Sequence, residues 1–181
     1  VEPWKDTVCY LANYYADKQY LKDTARIDKD GKFNFDGKEK LPGGIYLIVL
    51  PDKKFLELII DKEQKFVFET DSAGLVTRMK IKGSSDNELF YNYLNFAASK
   101  YKKAEVFREE LKMHKNNKDS LSLLEKEIQK IDAAVKDYKI KYITDYPLTF
   151  LAKIFKASQE PEIPEAPLLP NGRKDSSFAF R

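Results

Sequence analysis

Residues 81–90 read Ile81-Lys82-Gly83-Ser84-Ser85-Asp86-Asn87-Glu88-Leu89-Phe90, and the hydrophobic period changes within them. Upstream, apolar residues alternate with polar ones or form short apolar runs, the pattern of strands. Downstream they recur three and four residues apart, the pattern of one helix face. Ser85-Asp86-Asn87-Glu88 has the Ser-x-x-Glu form of a capping box, in which hydroxyl and carboxylate each satisfy a free backbone N–H. The expected fold class is therefore α+β. An antiparallel β-sandwich of about seven strands over residues 1–83 is followed by a helical region over residues 84–158.

Working back from Gly83, Val76, Met79 and Ile81 alternate among polar neighbours, and Phe66-Val67-Phe68 is a short apolar run. Asp61-Lys62-Glu63-Gln64 turns the chain out of Phe55–Ile60, and Pro51-Asp52-Lys53-Lys54 turns it out of Ile45–Leu50. The continuous apolar character of Ile45–Leu50 suits a strand buried on both faces. Pro42-Gly43-Gly44 makes a further turn. Asp30-Gly31 sits between two β-type runs, Gln19–Ile27 and Phe33–Phe35, which predicts a hairpin because Asp and Gly tolerate the positive φ of a tight turn. Val8–Tyr15, rich in aromatic and branched residues, is the first strand.

Working forward, Phe90, Leu94, Ala97, Tyr101, Ala104 and Leu111 follow 4-3-4-3-7 spacing, with Arg108 at the skipped position. A polar loop at His114-Lys115-Asn116-Asn117-Lys118 separates them from a second seam. There Leu121, Leu124, Ile128, Ile131, Val135, Tyr138 and Tyr142 keep strict three-four spacing. These are heptad a/d positions, so two helices are expected to pack antiparallel as a coiled-coil-like hairpin. The second seam would span about 33 Å at about 1.5 Å per residue. Pro147 is placed as the first residue of a short third helix, Leu148–Ser158. Pro161, Pro164, Pro167 and Pro170 then recur at every third residue, which suits an extended polyproline-II strap without a core of its own. Residues 159–181 are read as a proline-rich extended segment that leads, at Ser177-Phe178-Ala179-Phe180-Arg181, into a further apolar element. The start at Val1 and this abrupt end are both expected to be cuts in a longer protein.

Composition excludes several classes. The 32 basic and 29 acidic side chains leave a net charge of +3, far from the concentrated basic field that nucleic acid requires. Lys100-Tyr101-Lys102-Lys103 is the strongest local cluster, and Glu105, Glu109 and Glu110 share its helix, so it reads as a solvated face. No run approaches the ~18 apolar residues of a membrane span.

Little of the sequence carries chemistry. Cys9 is the single cysteine, lacks a resolving partner and sits among strand aromatics, which reads as a small buried hydrophobe. His114 is the single histidine and lies at a hydrophilic helix end, so a nucleophile–histidine site has no other residue to use. One Cys and one His make a poor zinc set. Asp28, Asp30, Asn34 and Glu39 fall on four positions of a calcium-loop register. Lys32 occupies a ligand position there, Gly31 is out of place, and the flanks are strands. Gly43-Gly44 lacks the residues of a phosphate loop. Tyr10, Tyr14, Tyr15 and Tyr20 are groove-lining candidates, although half-buried cross-strand aromatic pairs explain them equally. No catalytic residue, metal or cofactor is expected.

Several stretches resemble, in order, one domain of unknown function. They are Thr7–Tyr15, Asp23-Thr24-Ala25, Asp30-Gly31-Lys32-Phe33, Gly43-Gly44-Ile45-Tyr46-Leu47, Ile81-Lys82-Gly83-Ser84, Asn87-Glu88-Leu89-Phe90 and Phe150-Leu151-Ala152-Lys153. The chain thereby resembles the N-terminal region of bacterial envelope proteins with a C-terminal thioredoxin-like domain, of the thiol-disulfide oxidoreductase (AhpC/TSA) type. The resemblance implies a β-sandwich before a helical region, a periplasmic or envelope location, and a downstream Cys-x-x-Cys domain as partner within the same protein. It implies redox activity only for that downstream part, and Cys9 matches no redox cysteine of the family. The function it implies here is a non-catalytic accessory module for docking, oligomerisation or spacing, with the helical hairpin a candidate association surface. Any membrane attachment would come through a removed N-terminal anchor. The alternative is a ligand-binding sandwich for a peptide, glycan or small hydrophobe.

Overall fold

The computed structural model describes residues 4–15, 18–113, 118–159, 173 and 178. Strands β1 (Thr7–Tyr15), β2 (Lys18–Ile27), β3 (Gly44–Val49) and β4 (Phe55–Ile60) form one antiparallel sheet in the order β2-β1-β3-β4. Strands β5 (Val67–Glu69) and β6 (Lys80–Lys82) form a second, two-stranded sheet. Three helices follow: α1 (Ser85–Met113), α2 (Lys118–Asp145) and α3 (Phe150–Ala157). The α+β class and the order of elements agree with expectation. Six strands, split four and two, stand among the described residues where a sandwich of about seven is predicted.

Two segments account for the difference. The turn at Asp28–Lys32 forms: Asp28 N–H donates to Lys32 O at 2.9 Å, and Gly31 takes a φ of +76°. Phe33 and Phe35 nevertheless join no ladder. Their rings meet edge to face at 5.7 Å, and Phe33 meets Phe68 of β5 at the same distance, so both pack, half-buried, against the core. Edge pairing to β2 would have left these rings less buried, and aromatic burial outweighs a few exposed backbone bonds. The stretch from Val76 is shortened for another reason. Asp71 Oδ1 accepts from the N–H groups of Ala73 and Gly74, and Arg78 N–H donates to Gly74 O at 2.8 Å. This side-chain-anchored turn holds the chain off the ladder until Lys80.

The sheet's inner face carries Cys9, Leu11, Ala25, Ile27, Tyr46, Ile48, Leu56, Leu58 and Ile60, all buried in one cluster with Phe90, Tyr91, Tyr142, Leu151 and Phe155 of the helices. Phe68 and Ile81 of the small sheet pack against the same cluster. Residues 83 and 84 mark the change from strand to helix, and a single core runs through it.

The cap of helix α1 lies one residue before the predicted capping box. Ser84 O accepts from Glu88 N–H at 3.0 Å, and Ser84 Oγ accepts from Asn87 N–H at 3.4 Å, so Ser84 is the cap. Glu63, not Glu88, takes the Ser85 N–H, at 2.6 Å. A carboxylate from a neighbouring loop thus does the work assigned to one on the helix itself. The first half of α1 meets the second half of α2, with Phe96 stacked on Tyr138 at 4.5 Å, so the hairpin is antiparallel and closes within the chain. Ile131, Val135 and Tyr142 of the predicted seam are buried, as are Phe90, Ala97 and Ala104 opposite; Tyr101 stays exposed. Pro147 lies in the turn before α3 and is not its first residue. Thr149 caps that helix, its Oγ1 accepting from Ala152 N–H at 3.2 Å. Of the final segment only Gln159, Arg173 and Phe178 are described, so the proline strap and His114 lie outside the described residues. Among the described residues no helix is long and apolar enough to cross a membrane.

Candidate interaction surface

Strand alternation divides β1 between two environments. Cys9 and Leu11 face the core, and Val8, Tyr10, Ala12 and Tyr14 face the other way. The ladder extends that outer face across the sheet. Tyr10 pairs with Val49, which pairs with Phe55; Ala12 pairs with Leu47, which pairs with Glu57. On the far side Ala12 opposes Leu21 of β2. The outer face therefore carries an apolar strip from Leu21 through Ala12 and Tyr10 to Phe55, bordered by Thr24, Arg26 and Glu57, with a buried floor and an open rim. Ala12 and Leu47 are 7% and 1% exposed, whereas Val8, Tyr10 and Tyr14 are near 40%, Phe55 is 52% and Leu21 is 63%. Contiguous apolar rims of this kind mark binding surfaces more often than scattered single residues do.

The four candidate tyrosines do not line one groove. Tyr10 and Tyr14 lie on the outer face. Tyr15 and Tyr20 lie on the opposite side and meet edge to face at 6.2 Å. A β-bulge causes the split. The β1–β2 register shifts between Leu11 and Ala12, so Tyr20 opposes Asn13, and Lys22 is the extra residue. Without the shift Tyr20 would have faced Tyr14. The residues that complete the outer face (Val8, Leu21, Leu47 and Phe55) were visible in sequence only as ordinary strand apolars, because ladder register alone brings them together.

The remaining singled-out groups have local partners. Cys9 is fully buried and its thiol donates to Ala25 O at 3.7 Å. Burial pushes its pKa up to about 11, which removes thiolate at neutral pH. Asp28 Oδ1 accepts from the N–H groups of Asp30 and Lys32, at 2.9 and 2.8 Å, so that carboxylate organises the hairpin turn. Asp30 forms an exposed ion pair with Lys32 at 3.9 Å. His114 lies outside the described residues. A shallow depression of about 390 Å³ lies beside the β5–β6 turn. Its walls include the Asp71–Arg78 and Glu69–Lys80 ion pairs, at 2.8 and 3.2 Å, so its charges are already matched to each other.

Residues 2–90 match the family model described as Domain of unknown function (DUF4369). The match spans both sheets and the opening turns of α1, and it supports reading this stretch as a domain of unknown function. No curated protein and no solved structure matches the chain.

Proposed function

We propose that this chain is a non-catalytic accessory module of a thiol-disulfide oxidoreductase-like protein of the bacterial envelope, and that it docks a protein partner or substrate for a downstream thioredoxin-like domain. The observation that carries the docking role is the outer sheet face, where Val8, Tyr10, Tyr14, Leu21 and Phe55 surround a floor of Ala12 and Leu47. Aromatic residues at the rim supply large contact areas at low conformational cost, as interface cores do. The buried, raised-pKa thiol of Cys9 supports assigning redox chemistry to another part of the protein. Periplasmic location follows from the same reading.

The helical hairpin serves as a spacer in this reading. Its seam is occupied within the chain, so association through it would use the outward residues Tyr101, Val106, Met113, Leu123 and Ile140. The test uses the full-length protein carrying Tyr10→Lys and Phe55→Lys together. Reduction of a folded disulfide-containing protein is expected to fall at least tenfold while reduction of a small-molecule disulfide is unchanged. Equal effects on both substrates, or reductase turnover by residues 1–181 alone, would sink the proposal.

A second reading rests on the notch at Ala12, where the small side chain sits between Tyr10 and Tyr14 along β1. In that reading the same face holds a peptide, glycan or small hydrophobic ligand. A ligand that binds only the folded state must raise the melting temperature. A thermal-shift screen over the three classes with no stabilisation would remove it.

A further inference from the structure

The four-stranded sheet has two edges, and they differ. At β4 the free backbone groups are taken by α1: Asn87 pairs with the N–H and carbonyl of Ile59, and Tyr91 Oη donates to Glu57 O. At the other end β2 is open, and residues 18–24 are all exposed. Ten residues of extended chain, with Tyr20 and Leu21 at 46% and 63% exposure, offer a template for one more strand. A second copy of this chain carries the same strand. Antiparallel pairing of two β2 edges would fuse two sheets into one.

Three features of β2 act against that pairing. Lys22 stands unpaired in the bulge between Leu21 and Asp23, which oppose Ala12 and Leu11, so an incoming strand meets a bent ladder there. Asp23 opposes Leu11, a core-facing residue, and directly opposed residues share a face. Its carboxylate therefore stands on the core side of the sheet at the open margin, where Oδ1 accepts from Thr24 N–H at 2.7 Å. A strand added at this point would have to take that donor away and cover the carboxylate with its own side chains, leaving a charge less solvated and short of its partner. The third feature is charge. Lys18, Lys22 and Arg26 lie along β2 against the single acid Asp23. Even with Asp6, 4.0 Å from Arg26, the edge keeps a positive excess, which a second β2 would double.

We propose that Lys22 and Asp23 form an edge guard, which keeps a second copy of this chain from adding its own β2 to the sheet. A bulge, a charge on the core side and a run of lysines are each ways of blunting an open edge, and here they fall on neighbouring residues. The bulge that carries Tyr20 away from Tyr14 thus has a second effect. The guard closes the route of strand addition and leaves the outer face of the sheet untouched, so any partner is met by side chains and not by a new ladder. It does not depend on what that face binds.

The test compares the unmodified chain with a variant that lacks Lys22 and carries Asp23→Thr, by sedimentation velocity over a hundredfold range of concentration. The variant is expected to associate as concentration rises, and the unmodified chain to show no association that depends on β2. Thr24→Pro identifies the route, because the Thr24 N–H is held by Asp23 at the margin and proline removes a donor that an incoming strand would need. Added to the variant, Thr24→Pro is expected to restore the sedimentation of the unmodified chain. Three results would overturn the proposal: a folded variant that sediments like the unmodified chain, association that survives Thr24→Pro, or association of the unmodified chain that Thr24→Pro abolishes. If circular dichroism shows that the deletion does not fold, Lys22→Thr with Asp23→Thr keeps the chain length and decides by the same outcomes.

Discussion

The side-chain amide of Asn87 pairs with both backbone groups of Ile59: Oδ1 accepts from Ile59 N–H at 2.8 Å, and Nδ2 donates to Ile59 O at 2.7 Å. Asn87 is fully buried and completes the arrangement by donating to Ser84 Oγ at 2.9 Å. Because β4 is the last strand of the sheet, these are the groups a fifth strand would have taken. One turn further along α1, Tyr91 Oη donates to Glu57 O at 3.0 Å, the next outward carbonyl of β4. A helix thereby closes a sheet edge, with Asn87 acting as a one-residue strand.

Removing that amide strands two backbone groups in a dry site. Asn87→Ala is expected to cost about 2–6 kcal/mol, from two unsatisfied groups at about 1–3 kcal/mol each. Asn87→Asp keeps the acceptor and loses the donor, and the added charge is buried, so it should be no milder. Asn95→Ala, which loses a single half-buried bond of 3.5 Å to Val76 O, is the comparison and should cost under about 1 kcal/mol. Urea unfolding of the three variants checks the order; equal losses would mean that the edge bonds add nothing.

How much of this was legible beforehand depends on the range of the interaction. The Asp28–Lys32 turn, the change of period near Gly83 and most of the helical seam are set by neighbours within a few residues and stand where the sequence places them; Tyr101, expected in the seam, is exposed. The capping box slipped by one residue because Asn87 and Glu63 answer to β4 and the β4–β5 loop, which no local pattern contains. Phe33–Phe35 satisfied the strand pattern but had a better partner in Phe68, about half a domain away along the chain. The outer face was half legible. Alternation separates Tyr14 from Tyr15, but nothing in the sequence announces the bulge at Lys22 that carries Tyr20 to the other side.

The floor and rim of the outer face should separate in stability measurements. Tyr10→Lys and Phe55→Lys change residues that are 39% and 52% exposed, and each is expected to shift stability by less than about 1 kcal/mol. Leu47→Ala opens a cavity at a residue 1% exposed and is expected to cost about 2–5 kcal/mol. Thermal or urea unfolding measures all three. Rim variants as damaging as Leu47→Ala would mean that the rim is a structural part of the domain and is unsuited to a docking role.

Cys9 supplies a prediction with a pH sign. Its thiol ionises near 9.0 when unfolded and at about 11 when buried, so the folded state holds the proton longer. The contribution to stability is therefore complete below pH 9.0 and declines as pH rises toward about 11. In the folded chain the thiol should resist an alkylating reagent at pH 8, with labelling that tracks unfolding in urea. Rapid labelling without denaturant would contradict the burial and reopen a redox role for this residue.

Gly31 and Gly83, the two described glycines with positive φ, should respond differently to alanine, because one position is open and the other is walled. Gly31 has a φ of +76° and no heavy atom within 4 Å of an added Cβ, so Gly31→Ala meets only the backbone penalty, about 1–2 kcal/mol. Gly31→Asn should be milder still, since asparagine tolerates the left-handed region. Gly83 has a φ of +89°, and an added Cβ would lie 3.2 Å from Lys65 O and 3.5 Å from Phe66 Cα, both backbone atoms that cannot swing aside. Gly83→Ala therefore adds a clash to the same penalty and should exceed Gly31→Ala by about 1 kcal/mol or more, with Gly83→Asn no better than alanine. Lys65 and Phe66 lead into β5, and Gly83 joins β6 to the Ser84 cap, so the strain would fall where the small sheet meets α1. Circular dichroism melts of the four variants read out the ranking, and a Gly83→Ala protein as stable as Gly31→Ala would show that this approach relaxes freely.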